Sequence, residues 1–127
     1  MPTAITQGVE VSVESFFLEE QSDVDNNVYA FAYRVRLKNR SDRTVQLMSR
    51  HWIITDSSGK VSHVKGEGVV GQQPVLAPGA DYEYVSGSRL DSPLGTMHGS
   101  YHMRTESGES FDAEIPVFTL SANRLLN

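Results

Sequence analysis

The stretch Gly66-Glu67-Gly68-Val69-Val70-Gly71 spells G-x-G-x-x-G. In a dinucleotide-binding fold that spacing works because a strand runs into it and a helix leaves it, so that a pyrophosphate meets the helix N-terminus. Here Gln72-Gln73-Pro74 follows, and no βαβ pattern joins the stretch to Asp91, 20 residues past Gly71. A proline in what would be the first turns argues against the helix. Two uses of the glycines remain. They can supply positive φ or a close backbone approach. They can also leave backbone N–H groups free to hold a small anion, such as pyrophosphate or a dinucleoside polyphosphate tail, beside Lys65. The candidate ligand-binding residues are therefore Lys65, Gly66, Gly68 and Gly71.

Four histidines, His51, His63, His98 and His102, are the next groups able to do chemistry. His98 and His102 fall on one face of an expected strand, about two pleats apart. That is too far to share an ion held at about 2 Å from each ring nitrogen. No metal ligands are assigned on this basis, and divalent-metal sensing by these two with loop carboxylates stands as a secondary expectation. Asp23-Val24-Asp25-Asn26-Asn27 begins like a calcium loop, but Val28 and Arg34 occupy the positions that require glycine and glutamate. There is no Gly-x-Ser-x-Gly elbow, no cysteine, and no carboxylate pair singled out by spacing. The expectation is a binding protein without catalytic residues or a cofactor, not an enzyme.

The elements that would position these groups are strands. Tyr29, Phe31, Tyr33, Val35 and Leu37 occupy alternate positions, with small or basic residues between them. Alternation at period two gives a half-buried strand. Val9, Val11 and Val13 open a strand before it, and an acidic loop from Glu19 to Asn26 joins the two. After the Arg40–Arg43 turn, Val45 and Leu47 alternate in one phase and Trp52 and Ile54 in the other, which predicts a bulge near Ser49-Arg50. Ser57-Ser58-Gly59-Lys60 turns into a short strand carrying Val61 and Val64, and Lys65 to Gly79 reads as one long ordered loop. Strands follow around Tyr82–Ser86, Thr96–Thr105 and Phe111–Val117, with Pro116 expected at an edge or bulge. About seven short antiparallel strands in two sheets predict an all-β sandwich, immunoglobulin-like or fibronectin-type. Trp52, the only tryptophan, is expected in its core.

The 127 residues fit one domain, 1–127, large enough to bury a core without staples. The net charge is −5, yet Arg34 to Lys65 holds eight basic residues against two acids. The stripe Arg34, Arg36 and Lys38 is expected to meet Glu10 and Glu14 across neighbouring strands as a solvated charge ladder, in preference to docking an acidic partner. An acidic chain makes nucleic acid an unlikely partner. No apolar run reaches the length of a membrane span and no signal segment opens the chain, which with the missing cysteines predicts a cytoplasmic location.

The runs Arg50-His51-Trp52-Ile53-Ile54-Thr55-Asp56, Gly66 to Pro74, Ala77-Pro78-Gly79, Tyr82-Glu83-Tyr84 with Ser86-Gly87, Pro93 to Met97 with Gly99 and Tyr101, and Ile115-Pro116-Val117-Phe118, taken in order, resemble the ApaG family. The resemblance spans nearly the whole chain and implies a fibronectin type III-like sandwich. It also implies an indirect link to cobalt and magnesium resistance or efflux, and to a diadenosine-tetraphosphate hydrolase encoded alongside. Similar domains in eukaryotic F-box proteins and in a DNA-polymerase-interacting protein imply protein–protein interaction through a partner yet to be named. The family has no established catalytic residues. Its glycine motif, Gly66 to Gly71 here, has been discussed as a nucleotide or pyrophosphate site.

Overall fold

Alternating bulky and hydrophilic residues leave each strand one apolar face, and two sheets must stack to cover those faces. The structure, a computed structural model, describes residues 1–122. Nine strands form in order: β1 (Thr3–Thr6), β2 (Val9–Phe17), β3 (Tyr29–Asn39), β4 (Val45–Asp56), β5 (Val61–Glu67), β6 (Val75–Leu76), β7 (Asp81–Leu90), β8 (Leu94–Thr105) and β9 (Ser110–Ser121). One sheet has the order β1-β2-β3-β7; the other has β5-β4-β8-β9, with β6 also paired to β4. All pairings are antiparallel. The fold is an all-β sandwich, as the patterning predicts.

The organising strand behaves as expected: Phe31, Tyr33, Val35 and Leu37 are buried, while Arg34 and Arg36 are exposed. On the solvent face Arg34 Nη1 lies 3.1 Å from Glu14 Oε1, Arg36 Nη2 2.7 Å from Asp81 Oδ2 and Arg40 Nε 2.9 Å from Glu10 Oε1. Arg34 thus meets Glu14 across the strands as expected, whereas Arg36 turns to Asp81 of β7, Glu10 pairs with Arg40 beyond the stripe, and Lys38 enters none of the ion pairs among the described residues. Ala30, on that same face, is nonetheless buried, because the acidic loop folds over it: Leu18 N donates to Ala30 O and Ala30 N donates to Ser22 Oγ.

Trp52 is buried where the sheets meet, its ring 5.1 Å from Tyr33, 5.8 Å from Phe118 and 6.3 Å from Tyr101 between centroids. The hydroxyls of Tyr84 and Tyr101 hydrogen-bond to each other in the same core. Burial pushes both phenols above the ordinary tyrosine range.

Three details differ from the sequence pattern. β1 and β6 are additional, being only four and two residues long, too short to show a period. Lys65 to Gly79 is not one loop: Lys65, Gly66 and Glu67 belong to β5, and Val75-Leu76 pairs with Gln46 and Val45. In β9 the buried face passes from Ala113 and Ile115 to Phe118 and Leu120, leaving Val117 exposed. Met97 pairs with Phe118 and Gly99 with Ile115, so Pro116 and Val117 together oppose His98. The residue without an N–H sits where the ladder skips a residue. A second register shift, between Leu47 and Ser49, marks the expected phase change in β4.

The two flanks of the sandwich are unequal. On one, β9 lies along β1 and β2: Ser15 Oγ donates to Thr119 O at 2.8 Å, and Glu114 N donates to Thr6 Oγ1 at 3.0 Å. On the other, β7 and β5 are free edges of their sheets among the described residues.

Candidate functional site

The glycine motif divides between strand and turn. Gly66 lies in β5 opposite Arg50, and Gly68 (φ +62°) starts a tight reversal in which Val70 (φ +48°) and Gly71 (φ +77°) form the tip. Val69 N donates to Gln72 O and Gln72 N to Val69 O, at 2.8 and 2.9 Å. Two positive φ values between such partners are those of a primed hairpin turn, not of a helix start. Gly68 N donates to Met48 O at 2.9 Å. The N–H groups of Gly68, Val69 and Gln72 are thus taken by the protein's own carbonyls. Val69 itself is buried and roots the turn in the core.

β5 presents an open edge. Asp56 N donates to Lys60 O at one end of the β4–β5 ladder, and Gly68 N to Met48 O at the other. Antiparallel pairs alternate between bonded and non-bonded. Ser62, Val64 and Gly66 therefore bond to β4, whereas Val61, His63, Lys65 and Glu67 turn their N–H and C=O groups to the side on which no strand of the described residues lies. Every residue of β5 except Gly66 is exposed, with Val61 at 53% and Val64 at 42%.

Between this edge and β7 a cleft of about 250 Å³ opens into the sandwich. Its floor is Tyr33, Trp52 and Met97; Val64 and Ile54 line one side and Ser86 and Ser88 the other. Arg50 stands at its end. Arg50 Nη1 donates to Glu67 O (3.1 Å) and Gly68 O (2.8 Å), which carries the guanidinium from β4 across to the edge strand. Gly66 makes this crossing possible: a Cβ built there would lie 2.8 Å from Arg50 Nη2. Arg50 takes part in none of the ion pairs among the described residues. Its charge pulls downward on the pKa of Tyr33, Tyr84 and Tyr101, against the larger upward push of burial.

Strand register also brings all four histidines onto the outer face of the five-stranded sheet. His51 aligns with Lys65 and Ser100, Ile53 with His63 and His98, and Ser49 with His102. His51 Nε2 lies 2.9 Å from His63 Nδ1, and His102 Nδ1 2.9 Å from Asp112 Oδ1. Partial desolvation, and after it the charges of Lys65, His63 and His98, hold the His51 pKa below the ordinary histidine value. A shallow groove of about 460 Å³ runs here past His51, Lys65, Ser100 and Asp112 to the outer side of Arg50. Among the described residues no three histidine, aspartate or glutamate side chains gather as a metal-binding group. No helix among them is long and apolar enough to cross a membrane.

The model of the ApaG domain matches residues 19–105. This chain belongs to the ApaG family. It is 51% identical over 122 residues to Protein ApaG of Paramagnetospirillum magneticum, covering 96% of this chain and 94% of that protein. It is 52% identical over 119 residues to Protein ApaG of Aromatoleum aromaticum, covering 94% of each. Among solved structures, the crystal structure of an ApaA protein from Bordetella pertussis is similar at a TM-score of 0.88 and 46% identity, with 97% of each chain covered. The ApaG-domain match runs from β3 through β8, and so takes in Arg50, Trp52, the β5 edge and the glycine turn.

Of the residues the sequence singles out, the ApaG fold brings Lys65 and Gly66 to the same edge strand and sends Gly68 and Gly71 into the turn beyond it. Arg50 and the His51–His63 pair escape sequence reading. Their neighbours are 16 and 12 residues away in the chain, and no local pattern announces a cross-strand pair. The one usable signal is the phase shift at Ser49-Arg50, which turns Arg50 from the outer to the inner face.

Proposed function

We propose that this ApaG-family chain is a non-enzymatic, cytoplasmic binding module that docks an extended segment of a partner protein along β5. An added strand completes its main-chain hydrogen bonds on an exposed sheet edge and gains specificity from alternate side chains. The carrying observation is the β5 edge: Val61, His63 and Lys65 turn their N–H and C=O groups away from β4, as does Glu67, whose C=O Arg50 already takes. Supporting it, Val61 and Val64 are exposed on that strand. The family's association with cobalt and magnesium resistance then acts through the partner.

Lys65→Pro tests this, since it removes an outward N–H while sparing the bonds to β4. Full-length protein purified from its source cell should carry partners that Lys65→Pro loses and Lys65→Gln keeps. Partners indifferent to Lys65→Pro would end the reading.

A second reading, pyrophosphate or a nucleotide tail at Lys65 and Gly66–Gly71, is favoured by one observation: Lys65 and Arg50 flank Gly66 in the 460 Å³ groove. Titration with pyrophosphate, followed by amide NMR, should shift Val70 and Gly71. Unmoved amides at millimolar ligand would remove it.

A further inference from the structure

The geometry points to a recognition rule for the segment docked on β5: an acidic side chain opposite Gly66, with an apolar side chain two residues away opposite Val64. This inference rests on the docking reading and adds the chemistry of the occupant.

Gly66 and Val64 are both on the inner face of β5, because they pair with Arg50 and Trp52. A strand added beyond β5 would place every second side chain on that same face, over the mouth of the cleft. Opposite Val64 such a side chain would meet Val64 and the floor made by Trp52, Tyr33 and Met97. This is a slot of about 250 Å³ with an apolar floor and a polar rim from Arg50, Ser86 and Ser88, of a size that suits one aliphatic or aromatic side chain. Ser86 and Ser88 across the mouth are small enough to admit it.

Opposite Gly66 the situation inverts. With no side chain there, the partner would face the Arg50 guanidinium, already drawn to the edge by the carbonyls of Glu67 and Gly68. Guanidinium has five N–H donors in a planar fork. Nη1 serves the two carbonyls, and Nη2 and Nε retain a face for a carboxylate. A positive charge that enters none of the ion pairs among the described residues, beside a slot with an apolar floor, calls for a carboxylate from outside. Lys65 on β5 and Lys60 in the turn before it add positive charge, against which Glu67 on the same strand counts one negative.

Phage-displayed nine-residue peptides, selected against the full chain, supply the test. Selected peptides should carry Asp or Glu two positions from Val, Ile, Leu or Phe. Changing that acid to its amide, or Arg50→Gln in the protein, should each weaken binding about tenfold or more, and the double change should add little. Lys65→Pro should abolish binding. Peptides that need the Lys65 N–H yet show no acidic preference and ignore Arg50→Gln would overturn the inference while leaving strand docking intact. Failure to select any peptide would overturn both. Gly66→Ala, which pushes the guanidinium off the edge, gives a second route to the same loss should Arg50→Gln disturb folding.

Discussion

Along one flank, β9 lies against β1 and β2, and the groups that meet there find partners within the chain: Ser15 with Thr119, Glu114 with Thr6. Between the flanks, the arginines of β3 are answered by Glu14 of β2 and Asp81 of β7. Along the other flank, β5 and β7 stand apart, Val61 and Val64 are exposed, and among the described residues Arg50 bonds only to main-chain carbonyls. The same architecture thus closes one edge and leaves the other incomplete. The closed flank accounts for stability; the open one holds the unspent hydrogen bonds, apolar area and charge that binding needs.

The comparison can be sharpened by perturbing what the flanks share and then each alone. Trp52→Ala removes the ring packed against Tyr33, Phe118 and Tyr101 and so strikes both. Urea unfolding should show a loss of about 3–5 kcal/mol. Gly68→Ala acts on the open flank only. The residue sits at φ +62°, and a Cβ would lie 2.3 Å from Gln72 O. About 1–3 kcal/mol should be lost, with the glycine turn alone shifting in NMR spectra. An unchanged midpoint would mean that the turn tolerates another shape.

The smallest effect belongs to the charge ladder. The hydrogen bond and charge of Arg36 lower the Asp81 pKa from its usual 3.8. A depressed carboxylate stabilises the fold above its unfolded pKa and loses that contribution as pH falls through the folded one. Wild-type stability should therefore decline more steeply below about pH 3.8 than that of Asp81→Asn. Added salt should shrink the difference, since the pair is solvent-exposed. Identical acid limbs would show that the ladder contributes nothing to stability.

Much of this was legible before folding. The five alternating residues from Tyr29 to Leu37 set β3, Gly59 and Gly108 marked hairpins with positive φ, and Pro116 announced a bulge. The ladder partners Glu14 and Arg34 were readable because they sit on adjacent strands whose alternation fixes the face. The open edge was not legible. Lys65, Gly66 and Glu67 look like loop by composition, and only pairing with β4 makes them strand. Tertiary context overrode local propensity there, as it commonly does for strands.

The chain's own order of large and small side chains determined an all-β sandwich, its buried tryptophan and the direction each strand faces, because period-two alternation depends on nothing beyond neighbouring residues. Which strand would end unpaired, and that Arg50 would reach across Gly66 to meet it, was decided by register between segments far apart in sequence. Cross-strand neighbours are set by how whole sheets pack, and no local stretch of residues contains that distance.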